Sequence, residues 1–411
     1  MQDRAQSEAE LARWMLAEGT KIELPAFMTG LAQRLVSLGF PVDRFSVGLG
    51  LLNPSLLAAS IIWRPNWPLE YTRYPYESRD SGLYERSPFK RAQDTQDWVH
   101  IDVARTPDSE FGIVPDLREQ GITHYYAAPM PTSNGDPVSL TIATKGQRNF
   151  SDDEISLLKA VMPTLSAVVE IKKLHFTFEQ VLGAYVGQNP AKQIIEGTVH
   201  RGEVTHLRAA IFVADLRGFT HLSTQLPPQN TADVINRYYD LVVPKIAERS
   251  GEVLKFIGDA VLAIFPTGDR GDSAAVLSAL DAARAAFDTP REPYVVDGRT
   301  VDIRFGIAVH LGDAVFGNVG SGDRLDFTVI GRDVNVAARV ASLCSRLGRD
   351  YLVSEEVAKI GLAAGRTMTE AGSHEVRGLA EPLKVFVPDT FDIGPARDDG
   401  ISQGLLLAPT L

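Results

Sequence analysis

The sequence predicts two α+β parts joined by a helix, and three observations carry that prediction. At 411 residues the chain exceeds one ordinary domain, since single cores stop growing beyond ~250–300 residues. In the first half, two runs with helical apolar spacing precede a series of short strand-like runs and a long helical exit. In the second half the apolar period switches repeatedly, as alternating strands and helices require.

Residues 6–18 and 24–39 carry apolar positions at helical spacing. RFSVGLGLL (44–52), LLAASIIW, LEYTRYP, WVHIDV, HYYAAPM and VSLTIATK then read as strands. In SDDE, Ser151 precedes Glu154 at capping-box spacing and introduces ISLLKAVMPTLSAVVEIKKL. A long helix is expected there, kinked or interrupted near Pro163. Leu174, Phe178, Val181, Leu182 and Tyr185 continue it with one apolar stripe, suited to a two-chain seam or to packing on a neighbouring domain. This order of helix, antiparallel sheet and exit helix resembles a GAF-type sensory domain. The resemblance implies a regulatory domain over residues 1–164, a helical linker over 165–200, and a small-molecule or protein regulator as partner. All four tryptophans, Trp14, Trp63, Trp67 and Trp98, fall in this half. They are expected as core and surface aromatics, an aromatic-lined ligand pocket being the other reading. His100 and His124 lack metal-ligand spacing and read as ordinary polar residues.

Composition excludes several classes of function. Apolar residues make up 44% and charged residues 23%, as in a globular chain, and a formal charge of −11 argues against a general nucleic-acid or anionic-membrane binder. The longest apolar runs, such as LLNPSLLAASIIW (51–63), are broken by Asn, Pro and Ser. None approaches the roughly 20 residues that span a bilayer, so no membrane insertion is expected. The polar start MQDRAQSEAE has no signal-peptide apolar region, and the sole cysteine, Cys344, excludes an internal disulfide. A cytoplasmic protein is the expectation.

From residue 205 the strand HLRAAIFVAD leads to a short helix near Thr220 and a longer one over about 229–249, with Val234, Ile235, Tyr238, Leu241 and Val242 on one face. GEVLKFIGDAVLAIF reads as two strands around the turn Gly258-Asp259. A helix (272–287), the strands RFGIAVHLGDAVFG and LDFTVIG, a helix (332–347) and a closing hairpin complete the pattern. Asp215 at a strand end ordinarily caps the next helix, and Gly-Asp ordinarily makes a plain turn. Together, on antiparallel neighbours, Asp215 and Asp259 would share one edge of the sheet. Two close carboxylates repel unless a cation lies between them, and Mg²⁺ suits one or two carboxylates completed by water and phosphates. In LRGFT, Gly218 permits close backbone approach, and the amides of Phe219 and Thr220 at a helix start can receive a phosphate. The residues themselves therefore point to a Mg-nucleotide site.

FVADLRGFT, GEVLKFIGDAVLAIF and RLDFTVIGRDVNVAAR, in that order and spacing, resemble the three signature blocks of class III nucleotidyl cyclases over roughly residues 205–390. The resemblance implies a ferredoxin-like βαββαβ catalytic domain over 201–390 and a head-to-tail homodimer with active sites at its interface; beyond it, residues 391–411 mix Gly, Pro and charge without periodicity and are expected to form a flexible tail. It implies that Asp215, Asp259 and the carbonyl of Leu216 hold two Mg²⁺ or Mn²⁺ ions per site, and that Lys255 and Thr328 read the purine. Asn335 and Arg339, one helical turn apart, would orient the ribose and stabilise charge on the α-phosphate. Lysine at the first purine position is similar to the adenine-selective pattern, where glutamate marks guanine. ATP, converted to 3′,5′-cyclic AMP and pyrophosphate, is therefore the expected substrate, with a guanylate cyclase and a silent nucleotide-binding protein as alternatives. Many relatives carry a basic residue after the glycine of the closing hairpin, whereas RGLAEPLKVF has Leu379. Arg377, then Lys384, is expected to meet the terminal phosphates instead.

Overall fold

The computed structural model describes residues 2–53, 56–76, 82, 84–296, 299–322, 324–376 and 379–388, and the chain divides into two units, residues 1–184 and 185–411. The first unit opens with α1 (Gln2–Trp14), a π-helical turn (Met15–Gly19) and α2 (Leu24–Ser37). Strands β1 (Arg44–Gly50), β2 (Leu56–Trp63) and β3 (Glu70–Pro75) follow, then α3 (Pro88–Thr95), β4 (Val99–Asp102), α4 (Val114–Glu119), β5 (His124–Pro129), β6 (Val138–Thr144) and α5 (Asp152–Val186). The strands form one antiparallel sheet in the order β3-β2-β1-β6-β5-β4. Helices α3 and α4 are absent from the sequence reading. At eight and six residues they span too few turns for a helical apolar period to appear.

Both faces of this sheet are covered, which is why β6 is buried at every position. Phe45 and Val47 of β1 and Leu140 and Ile142 of β6 pack against Phe27 and Leu31 of α2 and Leu158, Val161 and Leu165 of α5. On the opposite face Tyr125, Ala127 and Ala143 meet Ala92 of α3 and Val114 and Leu117 of α4. The Ser151 capping box starts α5: its amide donates to Glu154 Oε2 at 2.7 Å, and the Glu154 amide donates to Ser151 Oγ at 3.3 Å. Of the kink or interruption expected near Pro163, the interruption is not found: α5 runs through Pro163 as one helix of 35 residues. The missing amide removes one helical bond, while Val161, Met162, Leu165 and Val168, buried on either side, hold the turns in place.

Of the tryptophans, Trp14 stacks on Phe27 with ring centroids 5.5 Å apart, Trp63 is buried, Trp98 packs on the core and Trp67 is exposed. Trp63 and Trp67 also flank an open cleft of about 880 Å³. His100 Nε2 and His124 Nδ1 lie 3.2 Å apart, and burial, then the neighbouring His124, pushes the His100 pKa down.

The second unit comprises α6 (Gln188–Ile195), β7 (Val204–Leu216), α7 (Phe219–Gln225), α8 (Pro228–Ala247), β8 (Glu252–Ile257), β9 (Ala260–Pro266) and α9 (Gly271–Asp288). It continues through β10 (Tyr294–Val296), β11 (Arg299–Val301), β12 (Phe305–Ser321), β13 (Arg324–Ile330), α10 (Arg332–Arg346), β14 (Tyr351–Ser354), α11 (Glu355–Ala363), β15 (Met368–His374) and β16 (Leu383–Pro388). The main sheet runs β15-β16-β14-β12-β7-β9-β8, with β13 paired to the end of β12. Within it β7, α8, β8, β9, α9 and β12 make a βαββαβ unit, β7 lying between β12 and β9. Val234, Tyr238 and Val242 of α8 and the fully buried alanines Ala275, Ala279 and Ala283 of α9 pack on Phe212, Phe265 and Phe305. On the other face α10 lays Val336, Ala337 and Val340 over the sheet. Burial pushes the Cys344 thiol up to about 12, so it stays a packing residue. No helix among the described residues is long and apolar enough to cross a membrane.

Phe305 is 1% exposed and touches Tyr238 and Phe287 with ring centroids 5.5 and 5.0 Å away. Phe305→Ala is expected to destabilise the second unit by about 3–5 kcal/mol, read as a lower urea midpoint by circular dichroism with the slope unchanged.

Candidate active site

The site is built on the strand next to the sheet's centre. Pairing of β7 with β12 sets Asp215 opposite Gly306, and the β7–β9 ladder ends at Ala214, opposite Val261. Asp215 is thus the first residue beyond that ladder. The β8–β9 hairpin closes with Ile257 opposite Ala260, leaving Gly258 and Asp259 as the turn. Gly258 has φ +64°, a conformation glycine adopts without strain. From α8, the Tyr239 hydroxyl donates to the Gly258 carbonyl at 2.9 Å, and its ring packs on Phe256 at 4.3 Å. The turn is therefore held firmly against the sheet.

The consequence is electrostatic. Burial, then the charge of Asp215, pushes the Asp259 pKa up to about 6, and a backbone hydrogen bond from Leu216 only partly offsets this. The Tyr238 hydroxyl is fully buried without a hydrogen-bond partner, and burial and the same two carboxylates raise its pKa well above the ordinary value. Two adjoining carboxylates and an unsatisfied phenol fit a bound cation. Among the described residues no group of three or more His, Cys, Asp or Glu side chains gathers to hold a metal. A cation at Asp215 and Asp259 must therefore complete its shell from backbone carbonyl, water and substrate oxygens, which suits Mg²⁺ or Mn²⁺.

Arg217, inside LRGFT, points elsewhere. Its amide donates to the Arg304 carbonyl at 2.7 Å, and its guanidinium donates to the Arg349 carbonyl at 2.7 Å and to Ser345 Oγ, with Asp350 at 3.7 Å. A Cβ on Gly306 would lie 2.1 Å from this guanidinium, so a side chain opposite Asp215 would displace Arg217 from its present position. Gly218 follows at φ +69° and starts α7, with Phe219 packed on the core and Thr220 exposed.

Within β8, Lys255 Nζ forms an ion pair with Asp326 of β13. The sequence assigned Lys255 to the purine and did not point to Asp326. The available signal was strand periodicity, because Asp326 and Thr328 are two apart and share a face. Asn335 and Arg339 lie on the first turns of α10, both exposed, with no side-chain hydrogen bond among the described residues. Asp333 fixes that helix start by accepting the Asp313 amide at 2.7 Å, and a Cβ on Gly312 would lie 2.3 Å from it. Leu379 packs with the cluster around Val340 and Leu343, while Lys384 pairs with Glu370 at 2.9 Å. Arg377 and the tail 391–411 lie outside the described residues. One chain thus unites Asp215 with Asp259, and Lys255 with Asp326 and Thr328, without joining Asn335 and Arg339 to either group.

Residues 204–388 match the family of the adenylate and guanylate cyclase catalytic domain. This stretch is a class III cyclase catalytic domain. Over 212 residues the chain is 31% identical to an adenylate cyclase of Anabaena cylindrica, covering 50% of this chain and 42% of that one. Over 188 residues it is 34% identical to an uncharacterized protein of Mycobacterium tuberculosis, covering 44% of this chain and 32% of that one. The chain thus spans less than half the length of these curated relatives. Among solved structures, the adenylyl cyclase CyaB from P. aeruginosa is 23% identical, with a TM-score of 0.38, over 48% of this chain and 100% of that one. In the cyclase domain of this chain the carboxylate pair, the Lys255 pair and the α10 face all fall inside the matched residues.

Asp259 ordinarily titrates near 3.8 and here near 6, so between these values the folded state binds the extra proton. This group's contribution to stability is therefore present at low pH and is lost as pH rises through 6. In chelator, the urea midpoint of the native chain is expected to fall relative to Asp259→Asn between about pH 5 and about pH 7. Added Mg²⁺ should recover it only where Asp259 is intact.

Proposed function

We propose that the chain converts ATP to 3′,5′-cyclic AMP and pyrophosphate at sites shared between two copies of itself, with the first unit, GAF-like in its order of elements, as regulator. The observation that carries the choice of ATP is Lys255, held by Asp326 beside Thr328. An ammonium only donates, so it matches the N1 acceptor of adenine and opposes the N1–H of guanine. The Thr328 hydroxyl accepts from the adenine amino group. It donates equally well, which keeps guanylate cyclase as the second reading.

Asp215, Asp259 and the carbonyl of Leu216 would hold two Mg²⁺ or Mn²⁺ ions, which when bound neutralise the triphosphate and acidify the ribose 3′-hydroxyl. Amides following Gly218, at Phe219 and Thr220, receive the terminal phosphates. The Asn335 amide orients the ribose. The 3′-oxygen attacks the α-phosphorus in line, the bond to the bridging oxygen breaks, and pyrophosphate departs. Arg339 supplies guanidinium donors to the charge that builds on the α-phosphate. Their exposure without intrachain partners supports a site completed by a second chain. Phe256, Ile257 and Leu325 support it too, as exposed apolar residues beside Lys255 and Asp326, and a two-fold pair would then own two sites. With Leu379 in the closing hairpin, terminal-phosphate binding is weaker and the KM for ATP is expected to be high.

Full-length protein given ATP and GTP in parallel with Mg²⁺ or Mn²⁺ should yield cyclic AMP from ATP, resolved by chromatography. Asp259→Ala should lower that rate by about 100-fold or more, and absence of product from either nucleotide would favour a silent binding module. Inactive Asp215→Asn and inactive Asn335→Ala chains should regain activity on mixing, at one of two sites. Failure to complement while both chains dimerise would exclude the shared site. Lys255→Glu is expected to lower kcat/KM for ATP by about 10–100-fold and to leave the GTP rate unchanged or raised.

A further inference from the structure

The first unit buries a cation without burying its counter-charge. Arg44, at the start of β1, is 7% exposed. Its guanidinium carries five N–H donors, yet only Nη1 finds acceptors, Thr141 Oγ1 at 2.9 Å and Ser46 Oγ at 3.4 Å. Both are neutral hydroxyls, already bonded to each other at 2.7 Å. Among the described residues no carboxylate forms an ion pair with Arg44, and Nε and Nη2 make no well-directed hydrogen bond, the neutral Tyr125 hydroxyl lying near the guanidinium. Lys173, the other buried cation among the described residues of this unit, shows the usual solution, an ion pair with Asp136 at 2.6 Å.

The surroundings of Arg44 are those of a receptor for oxygen atoms. Register places Arg44 opposite Ala143, and Ala143 opposite Tyr125, so the small Ala143 side chain leaves the guanidinium and the Thr141 hydroxyl within reach of the buried Tyr125 hydroxyl, which makes no well-directed hydrogen bond with either. The Arg44 guanidinium carbon lies 5.8 Å from the centre of that ring. Ser46 and Thr141, directly opposite one another, complete the row on the same face. An unpaired buried charge is strongly unfavourable, and the free edge of an arginine fork matches two oxygens of one oxyanion.

We propose that Arg44, with Ser46, Thr141 and Tyr125, binds the carboxylate or phosphate group of a small ligand inside the first unit. The inference stands apart from the cyclase reading, because its test reads binding and not turnover. All four tryptophans lie in the first unit, so tryptophan fluorescence of the full chain reports that unit's melting. Acetate or inorganic phosphate, each against chloride at equal ionic strength, should raise the melting temperature by about 2–4 °C; the more effective probe tells a carboxylate ligand from a phosphate one. Arg44→Leu should melt higher than the native chain in chloride, since it removes an unpaired charge while Ser46 and Thr141 stay bonded to each other, and should lose the response to both probes. Arg44→Lys, which keeps the charge and loses the fork, should need at least tenfold more probe for the same shift. The proposal is overturned if neither probe acts on the native chain, if Arg44→Leu responds as the native chain does, or if Arg44→Leu melts lower in chloride, which would make Arg44 a structural cation.

Discussion

The ladder between β7 and β12 is the constraint on which the second unit depends. It pairs every residue of β7, from Leu216 opposite Phe305 to Val204 opposite Gly317. A slip of one residue would turn Phe212 and Ala214 away from α8 and α9 and bring Val213 inward, exchanging one packed face for the other. Such a ladder has one register, and that register decides where Asp215 stands. Because β9 pairs with β7 only as far as Ala214, Asp215 emerges beside the β8–β9 turn, where Asp259 is the second residue. Neither carboxylate needs a dedicated loop to find the other.

The same ladder explains why the segment after Asp215 carries an arginine that does not face the site. The Arg217 guanidinium covers Gly306 and reaches Arg349 and Asp350, so the end of β7 is tied to the turn that leads from α10 into β14. This strut fixes the strand end from behind while Tyr239 fixes the hairpin from α8. Two independent anchors hold two like charges together against their repulsion. Without them the carboxylates would separate; held in place, Asp259 has its pKa raised first by burial and then by the charge of Asp215.

Much of this was legible in the sequence, for reasons that can be named. Every strand of the first unit was marked by β-branched and aromatic runs, and the α5 start by Ser151 and Glu154, whose reciprocal bonds are present. Asp215 and Asp259 were legible because each interrupts an apolar strand. The helices α3 and α4 were not, being too short to show a period, and the helix is not interrupted at Pro163 because buried neighbours outweigh one lost hydrogen bond. Asp326 was passed over because a carboxylate in a strand has no distinguishing neighbour in sequence; its partner Lys255 is distant in the chain and close only after folding. The bare charge of Arg44 was illegible for the same reason, since a missing partner cannot be read from a string.

The groups the cyclase domain already satisfies, and those it leaves open, indicate where control over the proposed reaction can act. Asp215 and Asp259 are adjoining in a single chain, and Lys255 is already held by Asp326, so metal and purine ends need no rearrangement within the chain. Among the described residues Asn335 and Arg339 are exposed without side-chain hydrogen bonds, on a helix start held by Asp333. A regulator that altered the carboxylate pair would have to work against the β7–β12 ladder and both anchors. One that altered how two chains meet would work against none of them, because the Asp333 bond that fixes the start of α10 lies within its own chain. On the shared-site reading, regulation therefore acts on the alignment of chains, and a ligand in the first unit needs only a preference for one alignment, of about 1–3 kcal/mol, to change the rate several-fold or more.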